Sequence, residues 1–311
     1  MLVHTILEAL GPITLGIAVG WGCGKTGFVN AAYSQAFADF VVKIALPLAL
    51  FLAALSSSPK DILNVDYALA LAIGLVVTYL MGYIGGRLLF KHNKADATMQ
   101  ALAVSFPDMA YCGPPVLIAA VGSSGLIAMV IGNLIYTVII LPLALALLGG
   151  GASSAHQNPL KAFGKALLQP LVFLPILGAV LAVYGVKIPD LLQSSINELG
   201  KTAGGVALFF LGLFISKSKF SLSKETLFNV LIKNIVQAAI ILGVGIALGL
   251  RGELLASAFL IGVIPTATAV PALAVGHKAY MDEAASTAVI STLFALVSIP
   301  VGIAIVASFY P

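Results

Sequence analysis

Within the apolar stretch AVSFPDMAYCGPPVLIAAV (residues 103–121), one carboxylate, Asp108, follows Pro107 directly and precedes Gly113, Pro114 and Pro115. An ionisable side chain in the middle of a membrane segment costs about 2.5 kcal/mol or more to insert, and it marks a functional site by default. Asp108 can bind a cation, carry a proton or cap a helix end. Proline removes a backbone donor and clashes with the preceding turn, so Gly113-Pro114-Pro115 breaks a helix instead of bending it. A second stretch, LIGVIPTATAVPALAVG (residues 260–276), carries Pro265 and Pro271 with the hydroxyls of Thr266 and Thr268. Tyr111 adds a phenol near Asp108. Asn133 is a further polar group in an apolar run, where helix–helix hydrogen bonding explains it equally well. Half-helices starting near Pro114 and Pro271 would direct their N-termini inward, each with free N–H groups and about half a positive charge. Two such termini on antiparallel crossing helices suit a carboxylate. Cys23 and Cys112 lie in apolar segments and read as small buried hydrophobes, with no metal spacing and no disulfide framework.

These groups need a membrane to hold them. Of 311 residues, 60% are hydrophobic and 9% charged, against about 25% charged in soluble domains. Residues 44–59, 97–107, 109–160 and 284–311 contain no Asp, Glu, Lys or Arg. A run of about 20 apolar residues crosses a hydrocarbon core of roughly 30 Å. Hydrophobic windows predict ten spans, at about 5–22, 33–55, 65–89, 97–121, 124–148, 163–185, 197–216, 225–249, 255–277 and 283–308. The net charge of +4 is scattered through short loops, which excludes a nucleic-acid surface. With the N-terminus outside, the inner loops hold ten Lys or Arg and the outer loops three, Lys60, Lys187 and Arg251. That bias places both termini outside the cytoplasm. The N-terminal apolar run lacks a basic region ahead of it and reads as a retained span, not a signal peptide.

An offset of 158 residues aligns Pro12 with Pro170, Lys43 with Lys201, Phe51 with Phe209, Pro107 with Pro265 and Pro142 with Pro300. Residues 1–150 and 151–311 therefore read as two five-helix repeats, joined through the flexible Gly149–Ser154 segment. Five is odd, so the second repeat is inverted, as in many secondary transporters. The breaks at Pro107–Pro115 and Pro265–Pro271 fall at matching places, in spans 4 and 9. Asp39 and Lys43 are four apart on one helix face, and Glu198 and Lys201 are three apart; both read as interfacial ion pairs. His4, His92, His156 and His277 read as loop or terminal residues that form no cluster, and His277, at the end of span 9, reads as solvated. An intramembrane aspartyl protease would need a second mid-span aspartate, and Asp39, Asp66 and Asp96 lie nearer span ends. An enzyme is therefore not expected, and no cofactor is expected beyond a coupling H⁺ or Na⁺.

On FVVKIALPLALF, ALFFLGLF, FPDMAYCGPPVL, IPTATAVPALAVGHKAY and STAVISTLFALVSIPVGIAIV, the chain resembles the auxin efflux carrier family. LQPLVFLPILGAVLAVYGVKIP and the short central loop resemble its bacterial branch, which includes carriers of malonate- or malate-like acids. The resemblance implies an all-α membrane protein of ten transmembrane helices in two inverted repeats with crossed broken helices 4 and 9. The same architecture occurs in sodium/proton antiporters and bile-acid symporters. It implies a scaffold of spans 1, 2, 6 and 7, often a homodimer contact, and a moving bundle of spans 3–5 and 8–10. It also implies a substrate site built from Pro107, Asp108, Tyr111, Gly113, Pro114, Pro115, Asn133, Pro265, Thr266, Thr268 and Pro271. Family members carry Asn after the span 4 proline, where this chain has Asp108. A carboxylate beside an anion site repels the anion unless it is protonated or paired with a cation, so Asp108 is the candidate coupling residue. The expected function is secondary transport of a small organic anion across the plasma (inner) membrane. A sodium-coupled bile-acid-type carrier and a non-transporting receptor on the same fold are the alternatives.

Overall fold

The computed structural model describes residues 2–56, 64–109, 112–122, 125–148, 168, 170–217, 221–267 and 269–309. These residues are helical throughout apart from turns and one isolated antiparallel bridge. The central linker, Tyr111, Thr268 and His156 lie outside the described residues. Every hydrophobic window carries helix. In chain order the helices are α1 (Leu2–Thr26), α2 (Ser34–Phe40), α3 (Leu46–Leu55), α4 (Val65–Leu88) and α5 (Lys94–Ser105). Next come α6 (Gly113–Val121), α7 (Gly125–Ile135), α8 (Leu141–Leu148), α9 (Pro170–Val183) and α10 (Asp190–Lys217). The last are α11 (Lys224–Leu231), α12 (Gln237–Ala247), α13 (Gly252–Val263), α14 (Ala269–His277) and α15 (Met281–Val306). Five-residue π-helical turns join α2 to α3, α7 to α8 and α11 to α12. Their helices therefore continue with one residue more than an α-turn holds, which rotates the side chains that follow.

Among the described residues, four continuous helices are long and apolar enough to cross a membrane: Val65–Leu88, Asp190–Lys217, Lys224–Ala247 and Met281–Val306. On α4 the exposed side chains Leu69, Ile73, Leu80 and Ile84 form one apolar stripe, and the opposite face buries Tyr67, Ala70, Leu71, Leu75 and Thr78. A helix apolar on its exposed face as well as its packed face is solvated by lipid, not water. The chain is a multi-pass membrane protein.

The contacts divide the chain into two compact units. One comprises Met1–Val65, Met109–Asn133 and Leu167–Lys217, and the other Asp66–Asp108, Leu134–Ala166 and Ser218–Pro311. Each draws on both sequence halves. In the first, α1 packs along α10 and α3 along α9. In lipid no hydrophobic force drives helices together, so association depends on close packing through small residues. Gly16, Gly20 and Gly24 form one face of α1 against Leu208, Phe209 and Ser216, and a Cβ on Gly20 would lie 2.0 Å from the Phe209 carbonyl oxygen. From the other side, a Cβ on Gly212 would lie 2.0 Å from Ile17 O. The expected ion pairs form on this unit at exposed positions, Lys43–Asp39 at 2.8 Å and Lys201–Glu198 at 3.2 Å. Cys112 is buried and Cys23 half-buried.

The second unit gathers α4, α5, α11–α12, α13, α14 and α15. Left-handed backbone recurs 158 residues apart at Gly27 and Gly185, Lys91 and Gly249, and Gly122 and Tyr280. Each of these residues ends a helix or turns a loop. The sequence offset thus reappears in backbone conformation, and in two of the three pairs the residue types differ.

Candidate functional site

The α5 and α13 half-helices end for the same reason. A residue before proline is pushed out of the helical region, and both Phe106 (φ −90°, ψ 103°) and Ile264 (φ −63°, ψ 152°) are extended. The two extended segments pair with each other: Asp108 N donates to Pro265 O (2.8 Å) and Ala267 N donates to Phe106 O (2.9 Å). Pro107 and Thr266 face each other in the resulting antiparallel bridge. Non-helical backbone within a membrane is tolerated only when such groups find partners, and here each break supplies partners to the other. Phe106 stacks on Tyr136 with ring centroids 3.7 Å apart, covering this crossing.

A helix end leaves four carbonyls unpaired. At α5, Thr266 Oγ1 donates to Ala103 O (2.8 Å) and Gln237 Nε2 to Ser105 O (2.9 Å), with a second bond from the same amide nitrogen to Thr78 Oγ1 (2.9 Å). At α13 the donor is charged. Lys233 Nζ donates to Gly262 O (3.2 Å) and Ile264 O (2.6 Å). Lys233 is fully buried and Asp108 is 1% exposed. A cation at a helix C-terminus also meets the negative end of the dipole. Lys233 lies on the π-turn Ile232–Val236, closed by Gln237 N donating to Ile232 O. The buried polar face of α11–α12 thus runs Asn229, Lys233, Asn234, Gln237. Ser291 Oγ donates to Asn234 Oδ1 (2.6 Å) and accepts from Thr266 N (2.9 Å), tying α15 to the same point.

Of the residues expected at the site, Pro107, Asp108, Pro265 and Thr266 come together at this crossing, all buried. Pro271 is buried at the third position of α14, in the same unit. Gly113, Pro114 and Pro115 begin α6, as the break requires, and Asn133 is half-buried on α7; these four belong to the other unit. Lys233 was legible only as a charge somewhere in span 8. The spacing of Asn229, Lys233, Asn234 and Gln237 (i, i+4, i+5, i+8) was the available signal that the charge faces inward.

His92 lies in a loop, as expected, but it has specific partners that the sequence did not announce. Its Nε2 lies 2.6 Å from Glu225 Oε1, and its ring packs edge-on against Tyr280 at 5.3 Å. Tyr280 OH donates to the same carboxylate oxygen (2.5 Å) and accepts from Asn229 Nδ2 (2.9 Å), and Tyr280 N donates to Asp96 Oδ1 (2.9 Å). Burial, reinforced by Glu225, pushes the Tyr280 phenol well above its ordinary range. His277 is exposed, as expected.

The family model described as "Membrane transport protein" matches residues 5–303. The chain is similar to the "Uncharacterized transporter YfdV" of Escherichia coli (strain K12), 29% identical over 94% of this chain and 95% of that protein. It is also similar to a "Putative malonate transporter" of Rhizobium meliloti (strain 1021), 23% identical over 84% of this chain and 83% of that one. A shorter match joins it to "Auxin efflux carrier component 4" of Arabidopsis thaliana, 28% identical over 38% of this chain and 22% of that protein. No enzyme is among these relatives. With paired helix breaks in a membrane bundle and a family match over nearly its whole length, this chain belongs to the membrane transport protein family of auxin efflux carriers and their bacterial relatives.

Proposed function

We propose that the protein is a secondary transporter of a small carboxylate or dicarboxylate. The observation that carries this reading is the crossing itself: two helix breaks bonded to each other, with a buried carboxylate at their centre, in a chain of the membrane transport family. The name of the Rhizobium relative favours a dicarboxylate. Half-helix α14 begins just after the Pro265 break, and its N-terminal N–H groups suit an anion. Pro107, Asp108, Pro265, Thr266 and Pro271 are the proposed site, with Thr268 adjacent in sequence. Asp108 is the proposed coupling residue, for H⁺ or Na⁺.

The proposed architecture is ten spans in two inverted repeats. It draws support from the 158-residue recurrence of left-handed backbone and from the antiparallel pairing, in which Pro107/Thr266 and Asp108/Pro265 exchange under that offset. The proposed mechanism is of the elevator type, with a dimerising scaffold of spans 1, 2, 6 and 7; α1–α3, α9 and α10 share one compact unit, which also takes in α6 and most of α7. The loop charges favour an inner-membrane protein with both termini outside. Uptake of radiolabelled malonate and related mono- and dicarboxylates into proteoliposomes tests the reading. Saturable uptake driven by an ion gradient is expected. Absence of both uptake and binding across the set would refute it.

A further inference from the structure

In carriers with interrupted helices, carbonyls freed at a half-helix C-terminus commonly coordinate the coupling Na⁺. This chain has that oxygen set. Gly262 O and Ile264 O face inward at the end of α13, with Asp108 across the break. A nitrogen already sits on it. Lys233 Nζ takes both carbonyls and is wholly buried. Lys233 and Asp108 are the two charged residues among the buried side chains of the described residues. The side chain reaches the carbonyls from the π-turn of a neighbouring helix, and Asn234 and Gln237 of the same face fix that helix to α15, α4 and α5.

We propose that the Lys233 ammonium is a tethered cation that occupies the coupling-cation position at the helix break, so that transport by this chain proceeds without sodium. The inference rests on the transporter reading and narrows its coupling ion. An ammonium and Na⁺ differ in how they are held. The ammonium donates directed N–H bonds to two or three oxygens, whereas a free ion must be recruited from water and can leave. A covalent tether keeps the cation at the site and removes sodium from the cycle. It also excludes the sodium-coupled bile-acid-type alternative.

Two experiments on the full chain decide the matter. The first measures carboxylate uptake into proteoliposomes with external NaCl replaced by N-methyl-D-glucamine chloride at fixed pH and membrane potential. Equal rates are expected, and a loss of several-fold or more without sodium overturns the proposal. The second uses Lys233→Ala, which opens the position, and reads thermal stability in detergent, independent of any substrate. At constant ionic strength, NaCl or methylammonium chloride is expected to raise the melting temperature of the variant and leave the wild type unmoved. A folded variant unaffected by both cations overturns the proposal, as does a wild type stabilised by sodium. Should Lys233→Ala not fold, the wild-type comparisons decide alone. Failure to move any carboxylate would count against the transporter reading, while the stability arm would still test the tethered cation.

Discussion

Removing both buried charges at the crossing should damage the protein less than the two single removals added together. Lys233→Met keeps the side chain's length but deletes two charge-assisted bonds to Gly262 O and Ile264 O. Each such bond contributes about 1.5–3 kcal/mol, and Asp108 is left as an uncompensated buried charge. Breaking a buried pair in this way costs about 3–5 kcal/mol. Asp108→Asn is milder, because Lys233 keeps both carbonyls and the neutral amide is close in shape. In Lys233→Met/Asp108→Asn the electrostatic penalty is absent, and only the lost carbonyl bonds remain. The double variant should therefore be more stable than the sum of the single effects predicts, by about 1–3 kcal/mol, the range for directly interacting sites. Denaturant unfolding of the four proteins in one detergent, followed by a probe in α15, measures this coupling. Strict additivity would show that the two charges do not balance each other, and would remove the electrostatic reason for their burial.

Other outcomes follow from the same geometry. Asp108→Asn should weaken the pH dependence of transport more than it weakens substrate binding, and an unchanged pH profile would take Asp108 out of the coupling role. Gly20→Leu should prevent α1 from closing on α10, since the first side-chain carbon already falls 2.0 Å from a backbone oxygen. Overpacking of this kind costs about 1–3 kcal/mol or more, and wild-type melting behaviour would contradict the packing. Ser291→Ala removes the acceptor for Thr266 N and should cost about 1–3 kcal/mol through a buried unpaired donor; recovery in Ser291→Thr is expected. Tyr280 is held protonated in the folded state, so its contribution is complete below the ordinary tyrosine range and is lost as pH rises above about 10. Tyr280→Phe should be less stable at neutral pH and show a shallower alkaline decline, as read from melting temperatures between pH 8 and 11.

Hydrophobic runs, prolines and loop charges are local properties, and they placed the helices and both breaks. Pro107 and Pro265 could be read as stops because proline acts on its own backbone and on the residue before it. What those stops do with their freed groups could not be read. The pairing of Phe106–Asp108 with Pro265–Ala267 joins segments more than 150 residues apart, and nothing local announces it. Lys233 drew no role from the sequence for a related reason: a lysine in an apolar window reads equally as a snorkelling residue near a span end, and the π-turn that aims it inward has no sequence signature. His92 read as a loop residue, and Glu225 carried no signal of its own. Their contact, and the burial of Tyr280 above them, arises only when the ends of α4, α11 and α15 converge.

The hydrogen bonds between the two breaks have a mechanical meaning. Asp108 N to Pro265 O and Ala267 N to Phe106 O act as a rivet through the centre of the bundle. A hinge at one break would have to shear both bonds and expose their groups to an apolar interior. The ends of α5 and α13 are therefore bound to travel together. Any alternation of access at this crossing is a displacement of the riveted pair as a single piece, with the flexing relegated to segments outside it.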